Sequence, residues 1–508
     1  MLTARIAAPN PVLCVTAHEH RDRDRAEAVA AGRFTHNGET RALGTEPDWL
    51  HADLPADEEW RIDWVKFAYG LDLAHAFAET GDARYRDTWE RLVSSYIATV
   101  PPDHDAAEVT ARRILNWIYA WQELGELSPG HAARLLGSLG EQVAHVRANL
   151  APERNHRTLE LYALLIAALA LPLLDDGLLQ FAIAGLEANL RSDFRADGVH
   201  VEASTHYHCI ALRSFVGARE NCRRYGIELS AEFDERLAKA LDFAVHCRRP
   251  DGLIPMLSDA DAGDYSELLA LAGDPRPTTL AADFPEGGYY TQRSGWGPAD
   301  AFLIFDCGPL GDGGHGHYDL LSVEAFAGGR PLLLDPGRFT YDEGPPNLRR
   351  WFRGTAAHNT VTVDGLDQTP YTRKRPDGPT AAGRFLGRTS APGVDVLAGE
   401  ARSPAYDALH QRRITFVHGR YWVIEDRLRG RTEHEYDLRF HLAPGEAAID
   451  GETVTAPGLT LHIMGAAHLR LEPGWIAPAY GRRNEAPVVS AKHRGRDATF
   501  TTIVVPGP

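Results

Sequence analysis

Two histidines separated by one glycine, His315 and His317, open the part of the chain that is richest in chemically useful side chains. Asp335 and His358 follow at spacings that a folded β-domain can close around one divalent cation. Imidazole and carboxylate ligands suit Zn²⁺ and also accept Mn²⁺. We therefore predict a metal site at His317, Asp335 and His358, with zinc favoured over manganese. The alternative is that these are ordinary histidines of loops and strands, because so scattered a triad is a weak motif.

The single glycine between the two histidines has a geometric consequence. Side chains two residues apart point to the same face of an extended segment, so the rings of His315 and His317 project together. One ring can then hold the metal while the other, His315, faces a substrate.

A second group of polar side chains is RNHR, residues 154 to 157. It precedes an apolar run of helical period, residues 159 to 174, and is predicted to form the first turn of that helix. Helix N-termini attract anions, so this turn is a candidate anion site, with Glu160 one turn after His156 to orient its ring. The alternative is a capping segment with a solvated histidine.

A third group lies in DGVHVEASTHYHCIALRSF, residues 197 to 215, where Tyr207 stands between two histidines and Glu202 lies upstream. Histidines and tyrosines at this density before a helix indicate either a functional site or an interface.

The overall charge limits the partners that these groups can serve. The 508 residues include 53 basic and 70 acidic side chains, for a net charge of −17. Nucleic acid and anionic membranes reward a basic surface, so both are excluded as general partners. An anionic substrate requires a pocket that is locally basic. A homodimer is a further expected assembly.

The cysteines and the N-terminus bear on the cellular compartment. Five widely spaced cysteines without a CxxC pair indicate reduced thiols rather than disulfides. The first residues lack a basic start followed by an apolar run, and no stretch approaches the ~18 apolar residues of a membrane span. As written the chain is expected to be cytoplasmic; with a signal removed from its start it would be secreted or periplasmic.

Two kinds of sequence pattern describe the elements that must position the three groups. From about residue 60 to 275, apolar residues recur at three- and four-residue steps, which indicates stacked helical hairpins in a solenoid or a toroid. A segment rich in Pro, Gly and Asp follows at 271 to 288, and short β-type runs come after it. We predict an N-terminal segment 1–58 that packs on a helical domain 59–275, and an antiparallel β-sandwich 276–508 that carries the metal site.

The motifs, taken in order, resemble those of the heparinase II/III-like polysaccharide lyases over nearly the whole chain. The matching pieces include RNHRTLE, DGVHVEASTHYH, HGHYDLLSVEAFAGGRPLLLDPGRFTY and HNTVTVDG. The full set of matching ranges is 64–85, 112–117, 154–160, 197–208, 253–264, 288–296, 315–341, 358–365 and 421–430.

The resemblance implies a multi-domain α+β fold, with an N-terminal (α/α) toroid, a C-terminal antiparallel β-sandwich and an active cleft between them. It also implies β-elimination on uronate polysaccharides, which leaves an unsaturated uronate at the new non-reducing end. By matching motif, Asn155 and His156 neutralise the substrate carboxylate and supply a base, Tyr207 is the acid, and His315 faces the substrate. The residues predicted to line the substrate are Arg113, Arg154, Arg157, Glu202, His208, Tyr341, Arg349 and Arg353.

Two points of this assignment stay open. Tyr207 serves as both acid and base if the C5 proton and the leaving oxygen share a face of the sugar; otherwise His156 or His315 is the base. Some family members have a glutamate three residues after the histidine, where this chain has Leu159, so the role of Glu160 is unassigned. The metal is expected to brace the loop that presents His315, with a direct Lewis-acid role as the alternative.

Three functions are compatible with these residues. The first is a lyase on glycosaminoglycan-type polymers such as hyaluronan, chondroitin or heparan, and the second is an alginate or oligoalginate lyase. The third is a carbohydrate-binding protein without catalysis. The presence together of Asn155, His156, Tyr207 and His315 argues against the third, because a degenerate site should have lost at least one of them.

Overall fold

A computed structural model describes residues 8–275, 277, 279–311, 314–373 and 376–507. In that part of the chain the sequence before residue 248 forms helices, as the apolar period predicts. The helices are α1 (Arg23–Ala30), α2 (Glu58–Val65), α3 (Tyr69–Thr80), α4 (Ala83–Thr99), α5 (Ala107–Leu124), α6 (Pro129–Ala148), α7 (Arg154–Ala170), α8 (Leu178–Asp193), α9 (Thr205–Arg224) and α10 (Ala231–Cys247). A short hairpin of β1 (Arg33–His36) and β2 (Glu39–Ala42) lies between α1 and α2.

Aspartates set the start of several of these helices. Asp22, Asp57 and Asp82 stand at the N-caps of α1, α2 and α4, and each side chain accepts a backbone N–H of the first turn. This satisfies donors that a helix start otherwise leaves unpaired. Helix α7 begins at Arg154, so RNHR does form its first turn, and the helix ends at Ala170, before Pro172.

Helix α7 is the buried centre of its unit. Fourteen of its residues are buried, so it is covered on nearly every side, and it packs against α5 and α8. Helix α5 also packs against α3. An aromatic cluster that includes Trp49, Trp64, Phe67 and Trp117 fills the space beside these helices. Large aromatic side chains dominate the energetics of such cores.

The chain divides into two compact units. The first comprises the residues up to Asp193 together with Ile210–Leu237, and the second comprises Phe194–Cys209 and the residues from Ala238 onwards. The first turn of α9, which carries Tyr207, therefore belongs to the second unit. The predicted boundary at residues 275 and 276 stays a prediction, and residue 276 itself lies outside the described part of the chain.

The second unit holds two antiparallel sheets and two short helices, α11 (Ser266–Leu271) and α12 (Leu348–Arg353). The smaller sheet is a meander of β3 (Ala281–Phe284), β4 (Tyr289–Arg293), β5 (Phe302–Asp306), β6 (Val323–Ala327) and β7 (Arg330–Leu333). The larger sheet contains β8 (Val361–Val363), β9 (Ala382–Ala391), β10 (Val394–Arg402), β11 (Leu409–Val417), β12 (Tyr421–His441), β13 (Ala448–Asp450), β14 (Thr453–Ala456), β15 (Leu459–Met464), β16 (His468–Ala479) and β17 (Arg482–Pro506). The long strands β12 and β17 pair with each other at the centre of this sheet.

The two sheets pack face to face. Leu303 and Phe305 of β5 lie in one hydrophobic core with Ile414 of β11 and Phe500 of β17. The opposite face of the small sheet is covered as well, because Phe302 and Ile304 pack with Val199, Phe243 and Leu257. Strand β5 is therefore buried at all five positions, which explains why its first four residues, FLIF, are all apolar. Among the described helices, none is both long and apolar enough to cross a membrane.

Candidate active site and metal centre

Tyr207 and Tyr341 form the most direct polar contact of the candidate site. Their hydroxyl oxygens lie 2.7 Å apart. Arg338 donates from Nη1 to the Tyr341 oxygen at 2.8 Å and reaches the Tyr207 oxygen at 3.5 Å. The guanidinium is itself fixed, because Nε and Nη2 donate to the two oxygens of Asp261 at 3.1 and 2.7 Å. Such a two-point contact holds the planar group in one orientation.

Burial raises the pKa of Tyr207 to about 12, although Arg338 works in the opposite direction. Tyr207 therefore keeps its proton at neutral pH. A buried phenol that stays protonated is suited to give a proton to a leaving oxygen.

His315 stacks on Tyr207, with ring centroids 3.9 Å apart and planes 22° from parallel. Its Nδ1 lies 2.9 Å from Oδ2 of Asp259. Burial opposes ionisation of Asp259, but Arg349, His315 and His317 outweigh it and hold the pKa of that carboxyl well below its usual value. An ionised carboxylate accepts hydrogen bonds, so Nδ1 of His315 carries the proton and Nε2 presents a lone pair. His315 is thereby set up as a base.

Asp259 joins the candidate site to the metal-capable cluster. Its Oδ1 accepts from Nε2 of His317 at 2.8 Å, while Oδ2 accepts from His315. Arg349 of α12 donates to both oxygens, with 2.7 Å between Nη2 and Oδ2. The aspartate is fully buried, and its backbone N–H donates to the carbonyl of His315 at 3.0 Å. The two histidines are therefore held at fixed positions by one side chain.

His317, Asp335 and His358 do converge, as predicted. One ligand atom from each lies within 4.8 Å of the others, and all three side chains are buried. His358 Nδ1 lies 2.7 Å from Oδ2 of Asp335. Within the described residues, Nδ1 of His317 and Nε2 of His358 are buried and have no hydrogen-bond partner.

The donor set fits a divalent cation. Burial lowers the pKa of His317 to about 3, so its ring is neutral and can give a lone pair. The other nitrogen of that ring donates to Asp259, and this is the usual way in which proteins orient a histidine ligand. Two imidazoles and a carboxylate suit zinc but do not by themselves identify the metal.

Gly316 is required because the fold leaves no room for a side chain at this position. A Cβ at this position would lie 1.6 Å from the carbonyl oxygen of Leu310. Any side chain here would displace the backbone that joins His315 to His317.

The predicted residues on the first unit lie at the start of α7. Asn155 is buried and His156 is exposed. Glu160 is buried, and its Oε2 accepts the backbone N–H of Ala151 at 2.7 Å, which ties the preceding loop to the helix. Burial raises the pKa of Glu160 to about 7. The roles of Asn155 and His156 stay predictions.

Four of the residues predicted to line the substrate make contacts inside the protein. Arg113 is fully buried and pairs with Asp105 at 2.8 Å. His208 is buried, with Nε2 bound to the carbonyl of Ala240 at 2.9 Å. Arg353 is fully buried against backbone carbonyls, including that of Gly316 at 3.0 Å, and Arg349 is committed to Asp259. Substrate contacts of Arg113, His208, Arg349 and Arg353 stay predictions, and in the structure each of these side chains binds another group of the protein.

Substrate contacts also stay predictions for the other four residues, Arg154, Arg157, Glu202 and Tyr341. Arg154 is half-buried and pairs with Glu153, and Arg157 donates to the carbonyl of Ala151 at 3.0 Å. Glu202 is buried, with Oε2 3.9 Å from Nε2 of His315. Tyr341 contacts Tyr207, as described above.

Asp259, Asp261 and Arg338 belong to the site, but the sequence pattern did not predict them. Both aspartates belong to LIPMLSDADAGD, a stretch that was matched to the family without any role. Ser204 and Thr205 tie this loop to the start of α9 by donating to the carbonyls of Asp259 and Pro255. A run of three acidic residues spaced by small ones was the available signal.

Comparison with known proteins gives matches along almost the whole chain. Residues 10–272 match the family model described as the heparinase II/III N-terminus, and residues 276–507 match the one described as heparinase II/III-like, C-terminal. A heparin-sulfate lyase of Bacteroides stercoris is 24% identical over 94% of this chain and 80% of its own length. A heparin-sulfate lyase of Pedobacter heparinus is 24% identical over 78% of this chain and 64% of its own length.

Solved structures show the same fold. The crystal structure of a heparinase III matches 99% of this chain and 88% of its own with a TM-score of 0.84 at 19% identity. A heparan sulfate lyase from Pedobacter heparinus matches 98% of this chain and 84% of its own with a TM-score of 0.66 at 21% identity. The toroid followed by an antiparallel β-sandwich is thus confirmed as the fold class.

Proposed function

The chain belongs to the heparinase II/III-like family of polysaccharide lyases, and on that premise we propose that it cleaves polymers of the heparan sulfate class by β-elimination. The names of the similar lyases support this substrate class over hyaluronan, chondroitin and alginate. The observation that carries the proposal is the stacking of a protonated phenol, Tyr207, on an imidazole with a free lone pair, His315.

The reaction removes the proton at C5 of a uronate and breaks the bond between C4 and its glycosidic oxygen. The electron pair of the C5–H bond forms the C4=C5 double bond, and the leaving oxygen takes a proton. In the proposed mechanism Nε2 of His315 accepts the C5 proton and the Tyr207 hydroxyl donates its proton to the leaving oxygen. Because the two rings are stacked, acid and base act from one side of the sugar.

Two carboxyl groups lie beside the ring of His315. Asp259 binds Nδ1, and the Glu202 carboxylate lies 3.9 Å from Nε2. Two carboxylates beside a ring that gains a positive charge lower the free energy of that charged state. The alternatives left open by the sequence are Tyr207 as both acid and base, and His156 as the base.

The acidity of the C5 proton depends on the charge of the uronate carboxylate. Hydrogen bonds to that carboxylate stabilise the enolate-like transition state. The resemblance assigns this task to Asn155, with Arg154 and Arg157 as nearby cations, and we retain it as part of the proposal.

His317, Asp335 and His358 would hold the metal ion. When bound, the ion would supply a fixed positive charge and a rigid attachment for three loops of the sandwich unit. The chain's own residues carry the proton transfers, and Asp259 connects His317 to His315. We propose zinc as the metal, since two imidazoles and a carboxylate match its preferences.

The test is the ultraviolet absorbance of the unsaturated uronate product, measured over a panel of heparan sulfate, heparin, hyaluronan, chondroitin sulfate and alginate. Turnover of heparan sulfate with little on the other polymers is expected. Turnover restricted to alginate or to chondroitin would contradict the substrate class while keeping the reaction. No product from any uronate polymer would contradict the proposal as a whole.

A further inference from the structure

Arg483, the second residue of β17, is held in place by two aromatic rings of the second unit. Its guanidinium lies 4.7 Å from the centroid of the Trp475 ring and 5.1 Å from that of Phe339. Phe339 in turn stacks on the buried Phe352, with centroids 5.4 Å apart. Trp475 packs edge-on against Trp351 at 4.9 Å. Because a cation is attracted to the face of an aromatic ring, these two contacts confine the charged group to one place.

The donors of this guanidinium are not used within the protein. Arg483 is exposed, and among the described residues no carboxylate and no hydrogen-bond acceptor pairs with its side chain. Two other arginines of the same unit differ in this respect, since Arg338 binds Asp261 and Arg349 binds Asp259. Arg483 is therefore a placed cation whose hydrogen bonds remain available to a ligand.

The turn before Arg483 is attached to the loop that carries Tyr341. The Tyr480 hydroxyl accepts the backbone N–H of Tyr341 at 3.4 Å, and the two rings lie 5.7 Å apart. The N–H of Gly481 donates to the carbonyl of Phe339 at 2.8 Å. The position of Arg483 is thereby tied to the position of Tyr341.

Arg483 also lies within a short distance of the candidate active site. Three residue steps separate it from Tyr480, which limits the distance between their Cα atoms to about 11 Å. Tyr480 contacts Tyr341, and the Tyr341 hydroxyl lies 2.7 Å from that of Tyr207. A polymer with its reacting uronate at Tyr207 can therefore bring a neighbouring sugar to Arg483.

The ligand of such a group is an oxyanion. A guanidinium matches carboxylates and sulfates in geometry as well as in charge, because its planar fork donates two parallel hydrogen bonds. The chain as a whole carries a net charge of −17 and repels anionic polymers. A fixed cation beside the site offsets this repulsion where the polymer has to bind.

A purely structural role is the alternative. Long basic side chains often cover apolar surface with their stems while the charged head stays in water. Arg483 would then only shield the half-buried rings of Trp475 and Phe339. The two roles differ in a measurable way, since shielding contributes to stability and anion binding contributes to KM.

We propose that Arg483 binds a carboxylate or sulfate on a sugar next to the reacting uronate, and that it thereby contributes to the choice of polymer. The inference rests on the proposed function for the identity of that polymer. Arg483 acts on a sugar that does not react, so its loss affects binding rather than the chemical step.

The test compares KM and kcat on heparan sulfate and on an unsulfated polymer of the same sugar backbone. We expect Arg483→Gln to raise KM about fivefold or more and to lower kcat by less than about twofold, because hydrogen bonds to a charged group are lost. A rise on heparan sulfate alone identifies a sulfate as the ligand, and an equal rise on both polymers identifies a carboxylate. Arg483→Lys keeps the charge without the planar fork and should raise KM about two- to threefold.

Arg482→Gln is the matched control. Arg482 is the exposed neighbour of Arg483 and carries the same charge, but successive side chains of a strand point to opposite faces. Its KM should stay within about twofold of the parental value. The melting temperature of every variant shows whether it is folded, and Arg483→Lys answers the question if Arg483→Gln is not.

Three outcomes overturn the inference. An unchanged KM on both polymers with a folded Arg483→Gln variant leaves Arg483 as a cover for the aromatic rings. An equal rise in KM for Arg482→Gln makes net charge, rather than a placed guanidinium, the cause. A lower kcat with an unchanged KM makes Arg483 a support of the Tyr341 loop.

Binding without turnover separates this inference from the proposed function. Isothermal titration calorimetry with heparan sulfate is carried out on the full chain with Tyr207→Phe, alone and combined with Arg483→Gln. If the wild-type protein cleaves no uronate polymer but Arg483→Gln weakens this binding, the lyase activity fails and the anion contact stands. If it cleaves heparan sulfate and Arg483→Gln changes neither KM nor binding, the activity stands and the inference fails.

Discussion

The hydroxyl oxygens of Tyr207 and Tyr341 lie 2.7 Å apart, although the two residues are 134 positions apart in the chain. One belongs to the first turn of a helix and the other to the loop after the small sheet. Arg338 donates to the Tyr341 oxygen, and either tyrosine hydroxyl can donate to the other. The phenol proposed as the acid is therefore set in place by a chain of hydrogen bonds that begins at Asp261.

Replacing Tyr207 by phenylalanine should remove most of the activity. The variant loses the proposed proton donor, and the loss of such a group costs about 10²- to 10⁴-fold in rate. The measurement is kcat on heparan sulfate with the melting temperature recorded alongside. Tyr421→Phe, on a strand of the large sheet, is the control and should keep parental activity. A Tyr207→Phe enzyme with more than half the parental rate would remove Tyr207 from the mechanism.

The Arg338→Lys variant should lower kcat about tenfold or more and change KM little. Lysine cannot make the two-point contact with Asp261, so the hydrogen bond to the tyrosine pair loses its fixed direction. Asp261→Asn should give a milder change in the same sense, because an amide still accepts one of the two hydrogen bonds. A rise in KM with an unchanged kcat would instead make Arg338 a substrate-binding residue.

Metal content is expected to be about one divalent ion per chain, as in other sites with three protein ligands. Substitution of His317, Asp335 or His358 by alanine should release the ion and lower the melting temperature. Elemental analysis and thermal unfolding, with and without a chelator, measure both effects. His468→Ala, which changes an exposed histidine of the same unit, should alter neither. Protein that is metal-free yet fully stable and active would refute the site.

Arg113 and Arg112 are adjacent in sequence and should differ sharply in their effect on stability. Arg113→Ala leaves Asp105 buried without one of its partners and should cost about 3–5 kcal/mol in the free energy of unfolding. Arg112→Ala removes a partly exposed side chain whose ion pair with Glu108 is long, at 3.8 Å, and should change that free energy by about 0.5 kcal/mol or less. Denaturant titrations of the two variants make the comparison. Equal losses in the free energy of unfolding would mean that the buried ion pair of Arg113 contributes no more to stability than the Arg112 side chain does.

Glu160 should make stability depend on pH. Its pKa is 4.5 in an unfolded chain and about 7 in the fold, because burial favours the neutral acid. Between these values the folded state binds more protons than the unfolded state, so stability is greatest below pH 4.5 and declines as pH rises to about 7. Glu160→Gln should flatten this part of the profile, as measured by chemical denaturation at several pH values. An unchanged slope in the variant would show that other groups cause the dependence.

The metal-capable cluster was predicted from the sequence because His317, Asp335 and His358 flank predicted strands at spacings that a β-domain can close, although such a triad is a weak motif. The fold class was predictable for a similar reason, since the apolar period changes from helical to strand-like near residue 280. Both inferences depend on local pattern, and the resemblance to a known family then supplied the architecture.

Which arginines are buried could not be predicted from the clustering of basic residues in the sequence. Arg113 was expected at the substrate, yet it lies four residues after Val109 and four before Trp117, on the buried stripe of α5. Arg112 lies one residue away on another face of the helix, half-buried and 3.8 Å from Glu108. The helical period of α5 distinguishes the buried Arg113 from the half-buried Arg112, whereas their adjacency in the sequence does not.

Asp259 was missed because its importance arises from contacts 56 and 58 residues away, with His315 and His317. Nothing in the local sequence distinguishes it from Asp261 or Asp264. Long-range hydrogen bonds of this kind become visible after the loops have been placed in three dimensions.

The close approach of Gly316 to the carbonyl of Leu310 has an evolutionary consequence. His315 and His317 sit on either side of a residue that accepts no side chain, so the two histidines cannot drift independently under mutation. Selection on the metal ligand constrains the position of the base, and selection on the base constrains the ligand. A related sequence with any other residue at this glycine should therefore have lost proton transfer and metal affinity together, and the residue between the two histidines is enough to identify it as inactive.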